Sequence, residues 1–399
     1  MNARLQVVIA GGGVAALEAT LALRALAQEP VAIELIAPER DFVYRPLAVA
    51  EPFRVGEARR FPLAPLAEAA GGILRPGRVA AVDPERRVVV TEQDAEHVYD
   101  VLLVTLGARP QEAIPNALTF SDPEKVPAFT AILEEALAGQ VRRIVFALPA
   151  GATWPLPLYE LALLTRSFLV DRGSTRIEIV LVTPEERPLA LFGSPASEAV
   201  AELLAVRGID CRLRTTPLRF EAGALRVAPG EAIEADSVIS LPRLEGPHLA
   251  GLPSDGDGFI PIDPYCRVSS EPDVYAAGDA TQFPLKQGGI AAQQADVAAT
   301  GIAMRAGSTM EPAPFRPVLR GLLMTGMSAR FLRAEPGTAQ SSVDTAALWW
   351  PPAKIVGRYL APFLASRLGL SEEAPRSDGG AVPVEVELDP CDHAAWSHV

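Results

Sequence analysis

The sequence predicts an α/β fold: two units of alternating strand and helix, followed by a C-terminal segment. Three observations carry that prediction. Leu5-Gln6-Val7-Val8-Ile9-Ala10 runs into Gly11-Gly12-Gly13 and then into Val14-Ala15-Ala16-Leu17-Glu18, a strand, a tight turn and a helix. The same succession restarts near Arg143-Ile144-Val145-Phe146-Ala147. A later strand, Val274-Tyr275-Ala276-Ala277, ends in Gly278-Asp279 and leads into an alanine-rich helical stretch, Ile290–Arg305, which returns the chain to the first unit.

The first turn has a chemical meaning. Gly11-x-Gly13-x-x-Ala16 fits the dinucleotide fingerprint: the first glycine makes the turn, the second lets backbone approach a pyrophosphate, and the third small residue packs helix on strand. The strand Val31–Ile36 completes a βαβ unit. An acidic group near its end would bind ribose hydroxyls; Ala37 holds the expected position, and Glu39 is the nearest acid, as a ribose ligand or as a solvated turn residue. Residues 42–70 read as a Pro- and Arg-rich connection, and 78–90 as two strands around Asp83-Pro84. The strand Tyr99–Val104 leaves through Thr105-Leu106-Gly107, where glycine permits a sharp exit.

The second unit is read over 116–245, with strands near Ile144–Leu148, Ile177–Val182, Asp210–Arg214 and Ser237–Leu241, and helices near Pro157–Asp171 and Pro195–Val206. Its turn, Leu148-Pro149-Ala150-Gly151-Ala152-Thr153-Trp154, lacks the paired glycines. Side chains at Ala147, Leu148 and Pro149 would obstruct a pyrophosphate, and Pro149 removes an amide donor. The domain boundaries that follow are 1–115 and 246–315 for a first domain in two parts, 116–245 for the second, 316–370 for the C-terminal segment and 371–399 for an acidic, disordered tail.

Composition narrows the function classes. Of 399 residues, 49% are hydrophobic and 21% charged, a globular composition. A net charge of −13, from 49 acidic and 36 basic residues, argues against a general nucleic-acid binder. The first strand begins too early for a signal peptide, and no apolar run reaches the roughly 18 residues of a membrane span; a cytoplasmic location is expected. Cys211, Cys266 and Cys391 form no CxxC pair, and His97, His248, His393 and His398 no metal or acid/base arrangement, so no metal is expected.

The Gly11–Ala16 turn, Thr105-Leu106-Gly107-Ala108-Arg109-Pro110 and Tyr275-Ala276-Ala277-Gly278-Asp279-Ala280, in that order, resemble the two-dinucleotide-binding flavoproteins of the pyridine nucleotide–disulfide oxidoreductase superfamily over about residues 5–310. The resemblance implies two Rossmann-like domains of the glutathione reductase type and non-covalent FAD. It implies FAD contacts at Gly11, Gly13, Val14, Ala15, Ala16, Glu39, Arg40, Arg45, Val79, Thr105, Leu106, Gly107, Gly278, Asp279, Lys286, Gln287, Gly288 and Ile290, with Asp279 on the ribityl chain. Amides of Lys286-Gln287-Gly288-Gly289-Ile290, at a helix N-terminus, would stabilise negative charge on the flavin pyrimidine edge, and Lys286 is either an added cation or a surface lysine.

The stretch Leu148–Ala162, Thr183-Pro184-Glu185 with Leu191-Phe192-Gly193, and Ile239–Pro247 look like sulfide:quinone oxidoreductases and flavocytochrome c sulfide dehydrogenase flavoproteins, which do not use NADH. The chain departs from them at the chemistry. Trp154 stands where a redox cysteine is expected, and 280–390 contains no cysteine, so sulfide oxidation by a thiolate pair is not supported. Trp154 and Lys286 are the expected catalytic residues. Ile290–Asp296 also resembles type II NADH:quinone oxidoreductases, which makes Gln293 and Gln294 acceptor-site residues or packing residues beside the flavin.

Trp349, Trp350 and Tyr359 among basic and apolar neighbours suit a membrane interface through 348–370, or packing over the flavin, or a homodimer contact. The leading expectation is therefore an FAD oxidoreductase acting on a small molecule or quinone, or with a protein electron partner. The alternatives are an NAD(P)H-dependent flavin reductase and a non-catalytic flavoprotein subunit.

Overall fold

The computed structural model describes residues 4–121, 123–338 and 340–368. A five-stranded parallel sheet is ordered Val274–Ala276, Val101–Val104, Leu5–Ala10, Val31–Ala37, Ile73–Pro76. Its inner strands are buried on both faces, which is why they read as unbroken apolar runs. The helices Val14–Leu26 and Gly288–Arg305 pack together on one face through small residues, among them Ala15, Ala19, Ala295 and Ala299. The antiparallel strands Val79–Asp83, Val88–Thr91 and Glu96–Val98 cover the other.

A second parallel sheet is ordered Leu118–Thr119, Ser237–Ser240, Arg143–Ala147, Glu178–Val182, Ile209–Arg212. The helix Leu156–Asp171 is buried nearly all round against it. The two units are joined where Arg109–Gln111 pairs antiparallel with Arg243–Glu245.

Two segments hold more structure than the sequence suggested. The connection 42–70 contains the ribbon Asp41–Val43 with Arg60–Pro62, a 3-10 helix over Arg45–Phe53 and a helix over Leu63–Ala70. The C-terminal segment contains the antiparallel sheet Leu319–Leu323, Arg330–Ala334, Ser341–Asp344, and a helix over Leu360–Arg367. Arg320, Gly321, Arg330 and Arg333 obscure its alternation, although the burial of Leu319, Gly321 and Leu323 alternates with that of Arg320 and Leu322. The expected acidic tail, with Cys391, His393 and His398, lies outside the described residues.

The C-terminal segment is fastened to both units. Gln293 donates to Val318 O (3.0 Å) and Gly289 O (2.9 Å) and accepts from Val318 N (2.8 Å). Ile355 N donates to the Tyr44 hydroxyl at 2.9 Å. Glu18, fully buried in the first helix, accepts from the amides of Tyr359 (2.8 Å) and Leu360 (2.7 Å). Asp296 hydrogen-bonds Glu18, and burial together with that neighbouring carboxylate pushes its acid up to about 9. Trp349 is buried edge-on against Phe331 (5.0 Å between centroids) and its indole N–H donates to Ala353 O at 3.0 Å. Its packing partners are thus within its own segment. Among the described residues no helix is long and apolar enough to cross a membrane.

Candidate functional site

Gly11 adopts φ +131, and a Cβ there would stand 2.4 Å from the Thr105 carbonyl oxygen. Only glycine fits this turn. Thr105 closes it from the neighbouring strand, its amide and hydroxyl both donating to Ala10 O (2.8 and 3.0 Å). A Cβ on Gly13 would meet no atom within 4 Å, and no side chain caps the helix that starts there. The first-turn amides of Val14, Ala15 and Ala16 therefore face open space, the arrangement that receives an anion.

Gly278, at φ +79, lies over this helix: a Cβ on it would be 3.5 Å from Ala15 Cβ and 3.2 Å from Ala291 Cβ. The structure so brings Gly11, Gly13, Ala15, Ala16, Thr105 and Gly278 together. Gly107 turns at φ +72 with nothing near its Cβ position, next to a half-buried Leu106. Glu39 and Arg40 are exposed beyond the Val31–Ala37 strand, and Val79 is buried against Val8, Ala10 and Ile36.

Beside this turn lies a cavity of about 290 Å3, whose lining includes Arg45, Phe120, Trp154, Leu156, Glu160, Leu241, Asp279, Lys286, Gln287, Gly288, Arg320, Lys354 and Ile355. Lys286 is 6% exposed; its ammonium lies 3.9 Å from the centre of the Phe259 ring and donates to Thr281 O. Burial pulls its pKa down to about 8 against the opposing charges of Asp279 and Asp255. Burial likewise pushes the Asp279 acid up, opposed by Lys286 and Arg45. Both groups are thus desolvated in advance of any ligand.

Gln287 caps the helix Gly288–Arg305, its Oε1 accepting from Gly289 N at 2.8 Å. That contact uses one amide of the helix N-terminus and leaves those of Gly288 and Ile290. Gln287 Nε2 is buried without a partner among the described residues. Ile355 closes over the same turn, since a Cβ on Gly288 would stand 2.8 Å from Ile355 Cγ1.

Gln293 and Gln294 are not among the cavity-lining residues. Gln293 holds the C-terminal segment as described above. Gln294, fully buried, accepts from Gly278 N at 2.7 Å and so fixes the Gly-Asp turn.

The second turn is closed. The helix Leu156–Asp171 begins with Pro155 before it and Pro157 inside it, and Leu158 N donates to Pro155 O at 3.0 Å, so few amides remain for an anion. Phe192 and Leu156 pack against Gly321, where a Cβ would come within 2.6 and 2.9 Å of them. Trp154 stacks edge-on against Phe192 at 5.7 Å. The acid at the end of the second strand, Glu185, is engaged internally, accepting from the Tyr159 hydroxyl (2.5 Å) and the Thr183 hydroxyl (2.9 Å). Burial raises its pKa against those hydrogen bonds.

Three lining residues escaped the sequence reading. Glu160, fully buried, accepts from both Lys354 (2.6 Å to each oxygen) and Met324 N (2.9 Å). Burial raises its pKa, opposed mainly by Lys354. A lone acid in the apolar run Leu156–Leu164 was the signal that could have found it; Lys354 and Arg320 carried none. Cys211 is half-buried and Cys266 fully buried, and burial pushes both thiols up, away from thiolate.

Residues 159–300 match the family described as pyridine nucleotide-disulphide oxidoreductase. Two NADH dehydrogenase-like proteins from Mycobacterium tuberculosis strains are 24% identical over 233 residues, covering 56% of this chain and 58% of theirs. The chain thus matches little more than half the length of these curated relatives. Among solved structures, the sulfide:quinone oxidoreductase of Aquifex aeolicus superposes with a TM-score of 0.78 at 20% identity, covering 85% of this chain and 86% of that one. The ferredoxin reductase for the CYP199A2 system of Rhodopseudomonas palustris superposes with 0.64 at 18% identity, covering 83% of each. The middle of the chain thus matches the pyridine nucleotide-disulphide oxidoreductase family, and the fold is like that of a sulfide:quinone oxidoreductase.

Proposed function

We propose that the chain is an FAD-dependent oxidoreductase that moves two electrons through a non-covalently held flavin, from a donor other than NAD(P)H to a quinone or protein acceptor. The residues fit FAD: an open, uncapped glycine turn for the pyrophosphate, a desolvated Asp279 and Lys286, and a buried Gln287 amide lacking a partner. When bound, FAD supplies the two-electron redox chemistry. The protein's part is electrostatic. Amides of Val14–Ala16 hold the phosphates, and Asp279 accepts from the ribityl chain. The free amides of Gly288 and Ile290, with the Lys286 cation, stabilise negative charge at the pyrimidine edge. Trp154, Leu156 and Phe120 exclude water from the cavity.

The observation that carries the choice of donor is the closed second turn, with Glu185 already occupied by Tyr159 and Thr183. Anaerobic mixing of the flavin-loaded chain with NADH or NADPH tests it: the visible flavin band stays unbleached over the time in which micromolar nicotinamide reduces a reductase. Rapid bleaching overturns it in favour of the second reading, a nicotinamide-dependent reductase, which the NADH dehydrogenase-like relatives favour. A chain that neither nicotinamide nor sulfide reduces acts as a partner-dependent flavoprotein subunit.

A further inference from the structure

Arg320 has no assigned role in the reading above, and its placement is costly. It is the second residue of the strand Leu319–Leu323, directly across from Arg333 in the next strand. Like charges facing one another across a ladder destabilise a sheet. Arg333 is relieved by Glu335, to which it is hydrogen-bonded. Arg320, half-buried, has no hydrogen-bond or ion-pair partner among the described residues and lines the cavity. Burial and the Arg333 charge pull its pKa down to about 10, opposed by the charge of Glu335, and an anion bound beside it would reverse that direction.

Of the other charges on the walls, Lys354 is paired with Glu160, and Lys286 and Arg45 share the charge of Asp279. The walls therefore carry more cations than anions, and Arg320 is the cation with neither wall carboxylate acting on it. The same cavity is also lined by apolar side chains, among them Trp154, Leu156, Leu322 and Ile355. The phosphate-receiving turn at Gly11–Ala15 is not part of this lining, so the pyrophosphate does not serve as its counter-ion. A guanidinium offers a planar fork of donors that matches two oxygens on one carbon.

We propose that Arg320 is the anchor for an organic carboxylate with an apolar body, the substrate that exchanges electrons at this cavity. This rests on the oxidoreductase reading for its role as substrate, while the anion site itself stands on the cavity and its unpaired guanidinium.

The test titrates the flavin-loaded chain with benzoate and with benzamide, the neutral molecule of the same shape. It follows both the visible flavin spectrum and the tryptophan fluorescence, because Trp154 lines the cavity. Benzoate is expected to bind saturably and at least about tenfold more tightly than benzamide. In R320Q, benzoate affinity falls by about ten- to a hundredfold, the worth of a charge-assisted hydrogen bond, and benzamide is unaffected. R320K recovers part of the loss. R320Q is also expected to unfold at the parent temperature or above, because it removes the repulsion from Arg333; a structural arginine would give the opposite shift.

Equal binding of the two probes, unchanged benzoate affinity in both R320Q and R320K, or displacement of benzoate by equimolar sulfate overturns the carboxylate site. A chain that retains no flavin but quenches its fluorescence with benzoate separates failure of the flavin reading from failure of this one.

Discussion

The two glycine-bearing turns occupy equivalent places at the ends of parallel strands, yet they differ in the amides they leave free. At the first, Gly13 faces empty space and the helix that follows has no side-chain cap. At the second, prolines replace amide donors, Phe192 and Leu156 fill the space against Gly321, and Glu185 is bound to Tyr159 and Thr183. The same architecture therefore offers uncapped helix amides at one turn and few free amides at the other. What distinguishes a working turn from a wall is free N–H groups and room for a phosphate; strand order alone does not decide it.

The comparison breaks most sharply under one substitution made twice. Gly11→Ala sets a Cβ 2.4 Å from a backbone carbonyl at φ +131 and should cost about 4 kcal/mol or more, with loss of retained flavin. Gly151→Ala, at φ +74 with nothing near its Cβ, should cost only about 1–2 kcal/mol and leave flavin content unchanged. Urea unfolding and the visible absorbance of the purified variants measure both; equal effects would mean the turns are equivalent after all.

Next in size is Lys354→Met, which leaves Glu160 as a buried, unpaired acid beside the closed turn. A loss of about 3 kcal/mol is expected near neutral pH, shrinking in acid as Glu160 takes up a proton.

A smaller effect concerns the open side. Lys286 has a pKa near 8 in the fold against 10.5 when free, so the unfolded chain binds more protons between those values. Stability of the flavin-free chain should then rise as pH goes from about 8 to 10.5, and Lys286→Met should flatten that rise in urea titrations. A last substitution, Asp296→Asn, acts on the helix that both sides of the comparison share. The acid of Asp296 is raised to about 9 from 3.8, so stability contributed by its retained proton falls as pH rises through that window. The amide imitates the protonated form, and the variant should match the parent at pH 6 while losing less in thermal unfolding at pH 10.

Much of this was legible in the chain. The Gly11–Ala16 turn could be placed because a fingerprint depends on local backbone geometry, and Gly11 needs its φ for a reason the sequence states outright. At the second turn the sequence pointed to Ala147, Leu148 and Pro149, whereas the part played by Pro155 and Pro157 at the start of the following helix emerged only in the structure. Residues 42–70 and 316–368 were not, since their strands are short, interrupted by arginine and glycine, and stabilised by distant partners such as Glu18 and Tyr44. Gln293 and Gln294 show the limit of motif reasoning: both are amides beside the flavin turn by sequence, but their hydrogen bonds run to Val318 and Gly278. Glu160, Lys354 and Arg320 meet only in three dimensions.

The helix Gly288–Arg305 acts as a ruler. Along its length Gln287 sets its own start, Gln293 sets Val318, Gln294 sets Gly278, and Asp296 reaches Glu18 beneath the last helix. Val318, Gly278 and Glu18 thus take their position from one helix, so drift in any of its marks would be felt at the others. None of these four marks reaches the 148–154 turn. A change in that turn would leave the spacing set by the helix untouched.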